Sequence, residues 1–289
     1  MEQLKLFIEL TRLKRPIGYM LLFWPCAWGL TLVYDFSNDK YLYFFHLILF
    51  LAGAILMRSA GCIINDIVDK KIDQKVLRTK NRPIASGKIS INLGMFYAAL
   101  LCFFAFFVLI NFNNLTIILA LCSMPLAFAY PLMKRITYWP QLFLGITFNY
   151  GLILGWTSIE NQINLVPLIL YLGAIFWTLG YDTIYGYQDI IDDEIIGVKS
   201  TSIKFKNNPK IFLLVCYSVT ILSFLIVGFL LNFNYFLFLG AILLFIHFFI
   251  YQLNSFDSKN TKKCFSLFKS NNQIGFLILI FIYLGKLNL

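Results

Sequence analysis

The stretch YFFHLILFLAGAILMRSAGCIINDIVDKKID, residues 43–73, decides the fold class. Its first 22 residues carry a single permanently charged side chain, Arg58, and then Asn65, Asp66, Asp69 and Asp73 arrive within nine positions. An apolar run of about 20 residues is the length of helix that crosses a hydrocarbon layer roughly 30 Å thick. The rest of the chain repeats the pattern. Of 289 residues 60% are hydrophobic and 13% charged, with a mean hydropathy of +0.76. That is more apolar surface than a water-soluble core can hide, so a soluble enzyme is excluded and an all-α polytopic membrane protein is expected.

Hydropathy predicts nine spans, at about 17–34, 43–65, 90–110, 115–133, 140–158, 165–188, 211–231, 235–252 and 273–287. The short basic amphipathic stretch before the first span has no small-residue cleavage site and reads as retained, without a signal or transit peptide. Nine alternating spans with an inward N-terminus put 21 of the 24 Lys and Arg residues on one side, leaving Lys40 and Lys286 outside and Arg58 within a span. The net charge of +10 is therefore topological, and no nucleic-acid partner is expected. Outer loops at 34–40, 111–114, 159–164 and 232–234 are too short for a separate domain, so residues 1–289 are expected to form one transmembrane domain. The compact loops suit a multi-pass protein of a bacterial inner membrane, with the N-terminus and the two longer loops cytoplasmic, and a processed organellar protein would read the same. Six scattered cysteines make neither a disulfide framework nor a zinc site, and His46 and His247 lie in apolar runs unsuited to acid/base work.

Eight of the 14 acidic residues gather at two places on the inner side: Asp66, Asp69 and Asp73 after span 2, and Asp182, Asp189, Asp192, Asp193 and Glu194 after span 6. If the span-2 helix continues past the membrane boundary, Asn65, Asp69 and Asp73 share one face, and Asp189 and Asp193 repeat the spacing. Like charges stacked on one face repel, which is a poor arrangement for stability alone. Two such clusters make sense around a hard divalent cation such as Mg²⁺, which takes a few carboxylates plus substrate phosphate oxygens. Arg78, Lys80 and Arg82 follow the first cluster, and Lys199 and Lys204 the second. Their charge complements phosphate oxygens that a metal leaves exposed, so the constellation describes a diphosphate site. Arg58 lies seven residues before Asn65, two turns deeper, where an ion costs roughly 2.5–3.5 kcal/mol unless it faces a polar cavity. Tyr130, Lys134 and Arg135 in YPLMKR add polar groups at the same face.

These motifs resemble the UbiA family of intramembrane aromatic prenyltransferases. NDIVDKKID is similar to its first aspartate motif, RTKNRPIASG to the basic continuation, and YDTIYGYQDIIDDEIIGVKS to its second aspartate motif. RLKRPIGYMLLFWPCAWGL, MRSAGCIIND and YPLMKR resemble the branch that prenylates 4-hydroxybenzoate. The resemblance implies nine helices around a central cavity, with the pseudo-equivalent motifs at 65–73 and 182–193 opposed at its mouth. It implies that Asp69, Asp73, Asp189 and Asp193 act through Mg²⁺, partly by way of water, on the diphosphate of a polyprenyl donor, with Asp66 and Asp182 as supporting carboxylates. Arg78, Arg82 and Lys134 match diphosphate-binding cations, while Asn65, Arg58, Arg12 and Tyr130 would line the acceptor end; Lys199 is a further substrate-binding candidate. The expected partners are polyprenyl diphosphate, 4-hydroxybenzoate and membrane lipid, in a step of ubiquinone biosynthesis, with no obligatory protein partner. A relative using dihydroxynaphthoate, protohaem or a chlorophyll-type acceptor is the alternative enzyme. A secondary transporter is the alternative of another class, disfavoured because transporters place ionisable groups at mid-membrane.

Overall fold

The computed structural model describes residues 2–37 and 39–287, and among them every regular element is helical. The elements are α1 (Glu2–Leu10), α2 (Ile17–Val33), α3 (Lys40–Val68), α4 (Lys70–Asp73), α5 (Ile91–Leu109), α6 (Asn114–Ala129), α7 (Met133–Ile136), α8 (Pro140–Asn149), α9 (Gly151–Glu160), α10 (Leu165–Gly186), α11 (Ile190–Ile196), α12 (Thr201–Lys204), α13 (Pro209–Leu230), α14 (Phe236–Phe245) and α15 (Thr261–Gly285). A 3₁₀ turn carries α6 into α7, α8 and α9 run on as one rod, and α14 continues through a π-helical stretch, Ile246–Leu253. Among the described residues eight helices are long and apolar enough to cross a membrane. The ninth span expected from hydropathy is α2, also apolar but only 17 residues long.

The polar loops act as caps. Side-chain oxygens of Asp39, Ser90, Asn113, Asn164, Ser200 and Asn260 accept from backbone N–H groups in the first turns of α3, α5, α6, α10, α12 and α15. Each satisfies a donor that the helix itself cannot, which matters most where lipid offers no substitute. The last span differs from its expected start at 273: α15 begins at Thr261, capped by Asn260, and so carries Lys262, Lys263 and Lys269 within the helix. Those lysines depress the local hydropathy and hide a helix that the cap sets.

Helix α2 is the buried axis of the bundle, packed against α3, α9 and α15. Small residues permit its approach to α9: a Cβ at Gly29 would fall on the Leu152 carbonyl, and one at Gly155 on the Cys26 carbonyl. Indole N–H groups tie α15 into the core, with Trp28 Nε1 donating to the Gly275 carbonyl (2.8 Å) and Trp177 Nε1 to Asn271 Oδ1 (2.9 Å). Gly155→Val should wedge α2 from α9 and cost about 3 kcal/mol. The readout is the midpoint of thermal unfolding in detergent, and an unchanged midpoint would contradict this packing.

Candidate active site

One cavity of about 1710 Å³ opens at the end of the bundle where α3 and α10 stop. Drug-sized ligands occupy pockets of roughly 300–1,000 Å³, so this one suits something larger. Its deep part is apolar, walled by Phe50 and Ala54 of α3, Ala105 and Leu109 of α5, and Met124 of α6. Its mouth is the reverse: Arg12, Asn65, Asp66, Asp69, Asp73, Arg78, Arg82, Tyr130, Lys134, Asp182, Asp189, Asp193 and Lys199 all line it, with Arg58 on the wall.

The local backbone shapes the first cluster differently from the uninterrupted helix that the spacing predicts. Helix α3 stops at Val68, Asp69 takes φ −90° and ψ 4°, and α4 restarts at Lys70. The break buries all three aspartates, none more than 4% exposed, and leaves Lys70 and Lys71 outside the cavity lining. A buried carboxylate needs compensation, and each of these has a cation from elsewhere in the chain. Arg12 Nη2 donates to Asp66 Oδ1 (2.5 Å), and Arg82 Nη1 reaches both Asp66 Oδ1 (3.1 Å) and Asp73 Oδ2 (2.8 Å). Lys134 Nζ donates to Asp69 Oδ2 (2.5 Å), and Arg135 Nη2 lies 3.6 Å from Asp69 Oδ1. Arg12, expected at the acceptor end, is thus an Asp66 partner at the mouth. It stands at a left-handed turn, φ 56°, that redirects the chain after α1.

The second cluster straddles the end of α10. Asp182 remains on that helix, Asp189 precedes α11, and Asp193 lies one turn into it. Arg78 joins the two motifs: its Nε donates to Asp189 Oδ1 (2.7 Å), Nη2 pairs with Oδ2, and the guanidinium lies over the Tyr185 ring. Asp182 and Asp193 have no cation within 4 Å among the described residues. Burial, and next the neighbouring Asp189, push the Asp193 carboxyl up to about 6. Burial also raises Asp69 in spite of Lys134 and Arg135. Gly197 ends α11 at φ 80°, a conformation that favours glycine, and the chain then folds back. Lys199 N–H donates to the Lys134 carbonyl (2.8 Å) and its Nζ to the Ile136 carbonyl (3.1 Å), so Lys199 fastens this loop to α7.

Three contributors were not singled out by sequence reasoning. The sequence marks Arg135 only as another basic group, Tyr185 as part of a motif, and Gln141 not at all. Gln141 Oε1 accepts from Thr201 N–H (3.0 Å) and anchors the loop after the second motif. Its signal in the sequence is faint, an amide in the first turn of an apolar helix.

Oxygen ligands from two opposed motifs are the donor set of a hard cation. The residues fit one: among the described residues Asp69 Oδ1 is buried without a hydrogen-bond partner, and Asp193 is a half-buried carboxyl without a cation within 4 Å. No three metal-ligating side chains converge among the described residues, so part of the shell of any such ion must come from ligand oxygens.

The chain is similar to known proteins. The profile of the UbiA prenyltransferase family matches residues 22–281. The chain is 41% identical to the mitochondrial 4-hydroxybenzoate polyprenyltransferase of Drosophila pseudoobscura over 98% of its own length and 71% of that protein. It is 37% identical to the 4-hydroxybenzoate octaprenyltransferase of Hydrogenovibrio crunogenus over 99% of both chains. In three dimensions it resembles a UbiA homologue from Archaeoglobus fulgidus bound to GPP and Mg²⁺, with TM-score 0.71, 17% identity, and 97% and 98% of the two chains covered.

Proposed function

This chain belongs to the UbiA prenyltransferase family, and from that premise we propose that it is a 4-hydroxybenzoate polyprenyltransferase. It moves a polyprenyl chain from its diphosphate to the ring carbon ortho to the acceptor hydroxyl, giving 3-polyprenyl-4-hydroxybenzoate, a ubiquinone precursor. One observation carries the substrate assignment. The same cavity combines a mouth of paired carboxylates and cations, an apolar depth and, between them, an Arg58 guanidinium with no carboxylate within 4 Å among the described residues. Those are the needs of a diphosphate, a prenyl tail and an aromatic acid.

Asp69, Asp73, Asp189 and Asp193 are our nominees to hold Mg²⁺ together with diphosphate oxygens, with Asp66 and Asp182 in support. Bound there, Mg²⁺ neutralises charge on the leaving diphosphate. Arg78, Arg82 and Lys134 exchange carboxylate oxygens for phosphate oxygens as the donor arrives, so the burial of their charge is compensated in both states. The allylic C–O bond breaks, its electron pair leaving with the diphosphate. Water would quench the resulting cation, and the apolar wall excludes it; Tyr130 and Tyr181 are aromatic residues of the same lining. Arg58 holds the acceptor carboxylate, as a fork-shaped donor can, with Asn65 and Tyr130 on the same lining. The ring carbon attacks, and its proton passes to a mouth carboxylate or to the released diphosphate, restoring aromaticity. We place the mouth on the cytoplasmic side of a bacterial inner membrane, an orientation supported by the basic residues that gather there.

Membranes containing the protein, given labelled 4-hydroxybenzoate, polyprenyl diphosphate and Mg²⁺, should form a labelled lipid product. Chelation should abolish it and added Mg²⁺ restore it. Product formed equally under chelation would overturn the metal assignment, and product only from dihydroxynaphthoate would overturn the acceptor.

A further inference from the structure

Gly18 is the second residue of α2, and nothing in its own conformation calls for glycine, since its φ is not in the left-handed region. Alanine is the better helix former of the two. What glycine omits here is a Cβ. An ideal one would lie 2.9 Å from Nε, 3.5 Å from Nη2 and 3.7 Å from Cζ of Arg58, and these three atoms are its nearest neighbours. The same guanidinium lies over the Phe148 ring, 5.2 Å from the centroid.

Every other arginine named at the mouth is aimed by a carboxylate: Arg12 by Asp66, Arg78 by Asp189, and Arg82 by Asp66 and Asp73. Arg58 is placed by shape, between a bare patch of α2 and an aromatic face. An ion pair would occupy the N–H fork, whereas steric placement leaves it free to take a planar carboxylate with two parallel hydrogen bonds.

We propose that Gly18 is a positioning residue that sets the aim of Arg58 and thereby selects a carboxylated aromatic acceptor. This rests on the reading of Arg58 as the acceptor anchor. A Cβ at position 18 leaves the helix intact and moves the guanidinium, because a side chain yields before two packed backbones do. A two-point hydrogen bond is sensitive to such a move, and a misplacement of about 1 Å can cost on the order of 100-fold.

The test uses the purified full chain in lipid nanodiscs, with Gly18→Ala, Arg58→Ala and the double variant. KM is measured separately for 4-hydroxybenzoate and for polyprenyl diphosphate, and turnover of 4-hydroxybenzamide serves as the uncharged comparison. Gly18→Ala is expected to raise the KM for 4-hydroxybenzoate roughly tenfold. The donor KM and the thermal midpoint should stay at parent values, and the preference for the acid over the amide should narrow by the same factor. That preference is a ratio within one enzyme, so it holds whatever fraction of the sample is folded. In the Arg58→Ala background, adding Gly18→Ala should change neither quantity by more than about twofold. If Arg58→Ala raises the acceptor KM and Gly18→Ala does not, the role of Gly18 is overturned and the anchor stands. An undiminished effect of Gly18→Ala without Arg58 also overturns it. If Arg58→Ala leaves the acceptor KM unchanged, the anchor falls and this inference with it.

Discussion

Asp69→Ala is expected to lower turnover roughly 10³-fold or more while the protein stays folded. Asp69 is the buried centre of the first motif, with Oδ2 held by Lys134 and Oδ1 without a hydrogen-bond partner. Removing it takes away a metal ligand and leaves Lys134 and Arg135 without their carboxylate. Both cations are partly exposed, 25% and 44%, so water can take over their solvation and the loss of stability is small. Asp189→Ala should act alike from the opposite motif, since it also releases Arg78. Single-turnover measurements at saturating substrates, beside the thermal midpoint, separate the two effects. Turnover within tenfold of the parent for either variant would remove that carboxylate from the machinery.

Arg82→Ala should be the most damaging change among the cations, and on two counts. Arg82 Nη1 bridges Asp66 and Asp73, which are 1% and 4% exposed. Deleting one partner of a buried pair costs about 3 kcal/mol or more, because the remaining carboxylates keep their desolvation without compensation. Asp66 retains Arg12, whereas Asp73 retains no cation within 4 Å among the described residues. Adding Asp73→Asn to Arg82→Ala should therefore recover a large part of the stability and none of the activity, since the diphosphate has still lost a cation. Thermal unfolding of the two single variants and the double closes the cycle. Equal midpoints for Arg82→Ala and the double variant would show that the Arg82–Asp73 pair contributes nothing.

Much of this site was legible in the sequence because few ionisable groups are tolerated in a membrane, so each survivor is informative. Arg58 was selected on that ground alone, and the structure finds it on the cavity wall. The motif spacings place the carboxylates on shared helical faces only if the helices run on, and they do not. The chain breaks at Asp69 and again between Gly186 and Ile190, and the carboxylates meet cations from other segments instead of one another. The partnership of Arg78 with Asp189 spans 111 residues. No periodicity encodes such a separation.

The sequence by itself determined that the chain is helical and membrane-spanning, where its charges concentrate, and which chemistry those residue types suit. Its apolar runs and scarce charges act locally, through the cost of exposing backbone and ions to lipid, and local costs can be read one segment at a time. Tertiary structure decided which cations pair with Asp66, Asp69, Asp73 and Asp189, Arg12 with Asp66 among them, and the placing of Arg58 beside Gly18. Those depend on distances between segments remote in the chain, set by how closely α2 approaches its neighbours. The lack of one carbon at Gly18 has no meaning until Arg58 is seen to fill the space.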